Sequence, residues 1–156
     1  RLWGTGPAAA TGTIGANYGV CFAFGYKGSG NNVPTLGNAG RPVINTSFDV
    51  TLSGAQATPG IALLIMGVSN TTWGTIPLPF DLTPLGAGGC NLLVSFDLIG
   101  GVVVNGSGTG KATYSIPNAP ALYGLVWHNQ YAVIDTGANQ LGIAFSNGGT
   151  AKVGGM

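Results

Sequence analysis

One histidine and four aspartates carry most of the acid–base chemistry available to this chain, because glutamate is absent. His128 and Asp135 could belong to a serine hydrolase, but no Gly-x-Ser-x-Gly sequence is present to expose a nucleophilic serine. Glycoside hydrolysis needs two carboxyl groups beside one bond, whereas each of the four aspartates stands singly at a predicted strand end or turn, where Asp usually makes a local turn bond; they are Asp49, Asp81, Asp97 and Asp135. We therefore expect that the protein is not an enzyme.

Metal and cofactor sites have equally little support. Asp135 and Asn139 with nearby carbonyl groups would hold Ca²⁺ weakly, since they offer one carboxylate and lack the spacing of an EF-hand. The cysteines form no CxxC pair and no cluster with histidine. The glycine pairs do not follow the strand-into-helix pattern that binds phosphate. We expect no metal and no cofactor.

An exposed aromatic ring is the best candidate for a ligand contact. Trp73 lies in the sequence Asn-Thr-Thr-Trp-Gly, which is typical of a loop, and an exposed indole can stack on a sugar ring. The sequons at Asn45, Asn70 and Asn105 carry glycan where the host has the machinery. Trp73 is therefore our candidate glycan contact.

The compartment follows from the cysteines and from the apolar runs. Cys21 and Cys90 are consistent with one disulfide or with two buried thiols. A bridge would close a loop of about 70 residues and contribute roughly 4 kcal/mol in the chain-entropy model. The chain starts at Arg1 without methionine, as a chain does after signal-peptide removal or after trimming. The longest apolar run, residues 61–68, is far shorter than the 18 or so residues that cross a bilayer. We expect an extracellular protein with no transmembrane segment.

Charge is the most informative property of the composition. Charged residues make up 6% of the 156 residues and the formal net charge is +1, against roughly 25% charged residues in ordinary domains. The five scattered cations form no patch for nucleic acid. A surface of Gly, Asn, Thr, Ser and Ala costs little to desolvate, because no ion leaves water. This composition favours packing against copies of the same chain.

The elements that position these residues are short strands. Turn signals recur along the whole chain, Gly100 and Gly101 separate two apolar runs, and a short helical turn is possible at 119–123. Period-two alternation or apolar runs predict strands at residues 18–26, 43–52, 61–68, 92–99, 102–104, 112–116, 125–134, 141–145 and 150–153. We predict an all-β fold, an antiparallel two-sheet β-sandwich or jelly roll of about 8–10 short strands. Residues 1–16 are predicted to form an extended N-terminal arm, and residues 17–156 the sandwich.

From Pro34 onward the chain contains an ordered series of motifs. They are Pro34-Thr-Leu-Gly, Leu63-Leu-Ile-Met-Gly-Val-Ser-Asn-Thr-Thr-Trp-Gly, Pro77-Leu-Pro-Phe-Asp-Leu, Leu85-Gly-Ala-Gly-Gly-Cys-Asn-Leu-Leu-Val, Ile116-Pro-Asn-Ala-Pro-Ala-Leu, Asp135-Thr-Gly-Ala-Asn-Gln-Leu-Gly and Ser146-Asn-Gly. This series resembles a β-rich module at the C-terminal ends of large secreted bacterial proteins, of the planctomycete and myxobacterial type. The resemblance covers about three-quarters of the chain and implies a secreted accessory or structural module, with Cys21 paired to Cys90.

These observations predict an extracellular structural subunit that assembles with itself into a filament, a pilus-like fibre or a sheath. We expect the arm to be exchanged between copies, with Leu2, Trp3, Ile14 and Tyr18 at the subunit interface. The alternatives are a secreted carbohydrate-binding or adhesion module that uses Trp73 and, third, a capsid-like jelly-roll subunit.

Overall fold

The computed structural model describes residues 9–14, 34–55, 59–87, 90–136 and 140–154 of the chain, with backbone alone at 9–14. All regular structure in these ranges is β-strand apart from two short 3-10 turns, Thr83–Leu85 and Pro120–Leu122. The strands are β1 Ala9–Ile14, β2 Thr35–Ala39, β3 Thr46–Ser53, β4 Gly60–Gly67, β5 Thr72–Trp73, β6 Ile76–Pro77, β7 Phe80–Asp81, β8 Asn91–Leu92, β9 Leu98–Val104, β10 Gly110–Ile116, β11 Val126–Ile134 and β12 Ile143–Lys152.

Two antiparallel sheets form the body of the molecule, which is a β-sandwich. The large sheet has the order β1-β12-β11-β4-β9, and the small sheet has the order β10-β3-β2. The remaining strands form two short pairs, β5 with β6 and β7 with β8. The predicted fold class, all-β with two antiparallel sheets, is therefore confirmed.

The small sheet shows why alternation predicts a strand. Phe48, Val50 and Leu52 of β3 are buried, while the side chains between them are more exposed. On the outer face, Lys111 of β10 forms an ion pair with Asp49 at 3.6 Å. Because successive side chains of a strand point to opposite faces, a period-two sequence presents one apolar and one polar face.

The main core lies between the sheets. Phe48 and Val50 meet Leu64 of β4 and Tyr131 of β11 in one buried cluster. The Tyr131 hydroxyl donates a hydrogen bond of 2.5 Å to the Val50 carbonyl, so the core also contains a polar link between the sheets. A buried hydroxyl that lacks such a partner costs about 1–3 kcal/mol.

A second core lies on the other side of the large sheet. Ile65 of β4 and Ala132 of β11 pack there against Leu82 and Val94, which belong to the segment between β6 and β9. Strand β4 is consequently buried on both faces at Ala62, Leu64 and Ile65. This confirms the prediction from the continuous apolar run 61–68 for the middle of that run, whereas Ile61 and Val68 at its ends are exposed.

Two predicted breaks are wrong. Gly100 and Gly101 lie inside β9, opposite Leu64 and Leu63 of β4. Residues 141–145 and 150–153, which we predicted as separate strands, belong largely to the single strand β12, which runs through Gly148 and Gly149. In both places a long neighbouring strand supplies the hydrogen-bond ladder, which compensates for the weak strand preference of glycine.

The N-terminal segment contributes an edge of the large sheet. Strand β1, which lies within the predicted arm 1–16, pairs antiparallel with β12 of its own chain, from Ala9 opposite Lys152 to Ile14 opposite Gly148. The boundary between residues 16 and 17 lies outside the described residues, as does the predicted strand 18–26, and both stay predictions.

Candidate functional site

The aspartates do not form a catalytic pair in the described part of the chain. The Asp81 carboxylate accepts hydrogen bonds from the backbone N–H and the hydroxyl of Thr83 at 2.9 and 2.6 Å, and these bonds lower the pKa of Asp81. Asp49 accepts a bond of 2.6 Å from the Thr113 hydroxyl. Both carboxylates therefore serve local structure.

His128 and Asp135 are not arranged as a catalytic couple. They are seven residues apart along β11 and its end, and in extended chain that separation is about 23 Å. The imidazole Nδ1 lies 2.9 Å from the hydroxyl of Thr150, and burial lowers the pKa of His128. No group of three His, Cys, Asp or Glu side chains gathers within the described ranges, and Asn139 lies outside them.

Most of the predicted interface and disulfide residues fall outside the described ranges. This applies to Leu2, Trp3, Tyr18 and Cys21, so their roles stay predictions. Cys90 is completely buried in the second core, and the described part of the chain contains no free cysteine. It also contains no helix long and apolar enough to cross a membrane.

An apolar pocket of about 390 Å³ opens between the two sheets at the end of the molecule where β9 begins. Met66 of β4, Leu98 of β9 and Trp127 of β11 form its wall on the large sheet, and Tyr114 and Ile116 of β10 form its wall on the small sheet. The volume falls in the range of about 300–1,000 Å³ that is usual for binding sites. The sequence did not predict this pocket, because its walls come from strands distant in the chain.

Two aromatic side chains of the pocket wall, Tyr114 and Trp127, pack with Phe48 of the main core. The rings of Phe48 and Tyr114 are stacked with centroids 5.5 Å apart, and Trp127 meets Tyr114 edge to face at 5.4 Å. The Tyr114 hydroxyl donates to Asn129 Oδ1 at 3.0 Å, and burial raises the pKa of Tyr114 to about 12. Tyr114 is therefore neutral at physiological pH, and its side chain brings no charge to the pocket.

The mouth of the pocket is apolar and exposed. Val68, Leu98 and Leu125 line it, with 77%, 66% and 50% of their surfaces accessible. Exposed apolar side chains that gather around a cavity, rather than standing singly, indicate a binding surface. The feature that sets this mouth apart is that, among the described residues, large apolar side chains are exposed beside an apolar cavity.

One charged group, Asp97, is present in the described wall of the pocket. Its Oδ2 accepts hydrogen bonds from the Ser95 hydroxyl at 2.6 Å and from the Val68 backbone N–H at 2.9 Å. These bonds, that of Ser95 above all, lower the pKa of Asp97, so the carboxylate is ionised at neutral pH. The main chain of Ser95 lies close against β4 at Gly67. A side chain at position 67 would prevent this close approach, because a Cβ there would lie 2.1 Å from the Ser95 carbonyl oxygen.

Strand β9 is an open edge beside this pocket. In the described part of the chain it pairs with β4 on one side and with no strand on the other. Its sequence, Leu-Ile-Gly-Gly-Val-Val-Val, contains no charge and no proline, which are the usual devices that protect an edge. Val103, on its outer face, is 78% exposed.

The neighbouring edge on the small sheet is different. Strand β10 carries Lys111, which is exposed, and its outward side chains at Thr113 and Ser115 are polar. At the turn that joins β9 to β10 the two strands approach closely, since a Cβ on Gly110 would lie 2.7 Å from the Val103 carbonyl oxygen. At the opposite end the pocket separates them. The sandwich is thus open between β9 and β10 at one end.

The outer face of the large sheet continues the apolar surface. Ile61 of β4 lies directly opposite Val103 in the register, and both side chains are exposed. Ile134 ends β11 next to this row and is also exposed.

Trp73 lies at the tip of a two-strand hairpin formed by β5 and β6. Its ring contacts Phe96, with centroids 5.6 Å apart and an angle of 44° between the planes, and each residue is 37% exposed. The prediction that Trp73 is accessible is consistent with this position, and Phe96 is a second ring that the sequence analysis missed.

Comparisons of the chain with family models, with curated proteins and with solved structures return no match, so the functional argument depends on these surfaces. The resemblance to the secreted bacterial module stays a prediction.

Proposed function

We propose that this protein is an extracellular structural subunit that assembles with copies of itself into a filament or sheath, by addition of a strand to the open edge of β9. The observation that carries the proposal is the uncharged edge of β9 beside the apolar pocket. An added strand gains main-chain hydrogen bonds along the edge, and its alternate side chains enter the apolar groove.

The low charge of the chain supports the same proposal. Burying β9 against another molecule removes no charged side chain of that strand from water. The cost of desolvation is then confined to main-chain groups, which regain hydrogen bonds in the joint sheet. The exposed side chains of Ile61 and Val103 add apolar area to the contact.

The donor that we propose is residues 1–8 of a neighbouring copy, the part of the predicted arm that precedes β1, because β1 itself pairs with β12 of its own chain. Strand β1 is at the opposite edge of the large sheet, so a strand added beyond β9 lies five strand spacings, or about 24 Å, from β1 of the same chain. Residues 1–8 span at most about 26–29 Å when fully extended. They cannot cross that distance and also run along the seven residues of β9. The arm of another copy has no such distance to cross.

Exchange of this kind gives an open assembly. The donated arm and the accepting edge are different surfaces, so each copy binds one neighbour as donor and another as acceptor. Repetition of such a head-to-tail contact produces a fibre unless the rotation between copies closes a ring. The capsid-like alternative requires closure into shells and is distinguished by electron microscopy.

Sedimentation velocity of the full-length chain tests the proposal. We expect oligomers that dissociate in the Val103→Lys variant, because a lysine on an edge strand opposes pairing with another strand. Ile61→Lys is the matched control. It makes a similar change on the same face, one strand away from the edge.

Loss of assembly in Val103→Lys together with its retention in Ile61→Lys supports strand addition at β9. A full-length chain that remains monomeric over the accessible concentration range would show that the proposed function is wrong. Equal loss in the two variants would show that the outer face, rather than the edge, makes the contact.

A secreted carbohydrate-binding or adhesion module is the second candidate, and the exposed pair Trp73 and Phe96 favours it. Two accessible rings at an angle of 44° offer a hydrophobic platform for a sugar ring. Binding to a glycan array by the wild type, with loss in Trp73→Ala and Phe96→Ala, would support this function. Unchanged binding in both variants would exclude the aromatic pair as the site.

A further inference from the structure

We infer that the pocket beside β9 is the docking site for Leu2 and Trp3 of the donated arm, and that Asp97 at its rim binds the guanidinium of Arg1. This inference rests on the proposed function, because it names the segment of a second copy that the site receives. It assigns a partner to the open part of a pocket whose walls, Tyr114, Ile116 and Trp127 among them, also belong to or pack against the main core.

The fit depends first on apolar character and size. The arm begins Arg-Leu-Trp, which places two large apolar side chains next to each other and is followed by small residues. The pocket offers about 390 Å³ between apolar walls, with the rings of Tyr114 and Trp127 available for contact with an indole. A large apolar side chain that fills such a pocket typically dominates the energy of an interface.

The second argument is charge complementarity. Asp97 is ionised, and its Oδ1 accepts no hydrogen bond within the described part of the chain, so this oxygen is available to a donor at the pocket mouth. Arg1 precedes the two apolar residues, and its side chain can remain at the rim when they enter the cavity. A carboxylate favours arginine because the guanidinium presents two parallel donors.

The docking fixes the direction of the donated strand. Leu98, the first residue of β9, lines the pocket, whereas Val104 is at the far end of the strand. With Leu2 and Trp3 seated near Leu98, residues 4 onward run toward Val104 and parallel to β9. The pocket therefore sets the register of an edge whose repetitive sequence of valine and glycine defines register weakly.

Cysteine crosslinking between full-length chains tests the site and its occupant. Chains that carry Gly4→Cys are mixed with chains that carry Val68→Cys at the pocket mouth or Ser107→Cys in the turn beyond Val104. The Gly4→Cys change keeps Arg1, Leu2 and Trp3 intact. We expect mixed crosslinked dimers with Val68→Cys and few with Ser107→Cys.

Side-chain variants supply the second measurement. We expect Trp3→Ala to weaken association by about 30-fold, as truncation of a central aromatic residue does. Arg1→Glu should weaken it by at most about five-fold, because an exposed ion pair contributes little. In the Asp97→Asn background, the effect of Arg1→Glu should disappear.

The outcomes separate this inference from the proposed function. Chains that associate but crosslink equally well, or preferentially at Ser107→Cys, would show that assembly occurs without the pocket. Crosslinks within one chain, formed when Gly4→Cys and Val68→Cys are combined in it, would show that the occupant is the chain's own arm. Chains that do not associate at any concentration would contradict both proposals.

Discussion

At the scale of the residue, buried polar groups in this molecule serve the fold. Tyr131 bonds the opposite sheet, Ser146 Oγ accepts from the backbone N–H of Tyr131 at 2.9 Å, and His128 contacts Thr150. Trp127 Nε1 and Asn129 Nδ2 are exceptions, since both are buried without a partner in the described part of the chain.

His128 gives a prediction about pH. Burial lowers its pKa below the unfolded value near 6.5, so the unfolded state binds the proton more readily. The contribution of this pKa shift to the free energy of unfolding is therefore fully present above pH 6.5. It decreases as the pH drops through 6.5 toward the pKa of the folded state. We expect chemical denaturation between pH 7.5 and 5.5 to show this loss in the wild type. The His128→Gln variant should show a flatter profile, and an unchanged profile would contradict burial as the cause.

At the scale of the element, one side chain joins the outer loop segment to the large sheet. Gln130 of β11 is fully buried, and its Nε2 donates to the carbonyl groups of Asn91 and Ser146 at 2.9 Å each. Its Oε1 accepts from the backbone N–H of Leu93 at 3.0 Å. The amide thus connects the segment 91–93, which contributes to the second core, to β11 and β12.

The Gln130→Leu variant removes these bonds while it keeps a similar volume. We expect a loss of about 3 kcal/mol, because the main-chain groups of Asn91, Leu93 and Ser146 lose these three bonds in a largely buried position. For a chain of this size, that loss corresponds to a decrease in Tm of roughly 6–12 °C. Gln140→Leu is the matched control, and since Gln140 is exposed its change should stay within about 0.5 kcal/mol. Equal Tm values for the two variants would show that the Gln130 bonds do not stabilise the fold.

At the scale of the whole molecule, the low charge determines how copies interact. Within the described residues, the ion pair between Lys111 and Asp49 joins two strands of the small sheet, and β9 itself carries no charged side chain. Contacts at β9 therefore depend on main-chain hydrogen bonds and apolar burial. Both kinds of contact respond weakly to ionic screening.

The response to salt follows from this composition. We expect the association constant from sedimentation equilibrium to change by less than about three-fold between 0.05 and 0.5 M NaCl, because screening affects exposed charge pairs. Sodium sulfate at equal ionic strength should strengthen association, since it strengthens apolar burial. A steep decrease of the constant with NaCl would show that charge pairs hold the copies together.

The sequence by itself determined the class of fold and the character of the surface. Alternation at Phe48, Val50 and Leu52 predicts a strand with one buried face, and the scarcity of charge predicts a surface that is cheap to desolvate. Both conclusions rest on side-chain chemistry and on the period-two geometry of a strand, which are local properties.

The tertiary structure alone decided where the strands end and where a site lies. Gly100 and Gly101 indicate a break when read along the chain, but they pair with Leu64 and Leu63, and β9 continues through them. The open edge of β9 and the pocket beside it depend on strands β4, β9, β10 and β11 meeting in space. Pairing partners at long separation carry no local signal, so the residues of such a site become visible only when the sheets are assembled.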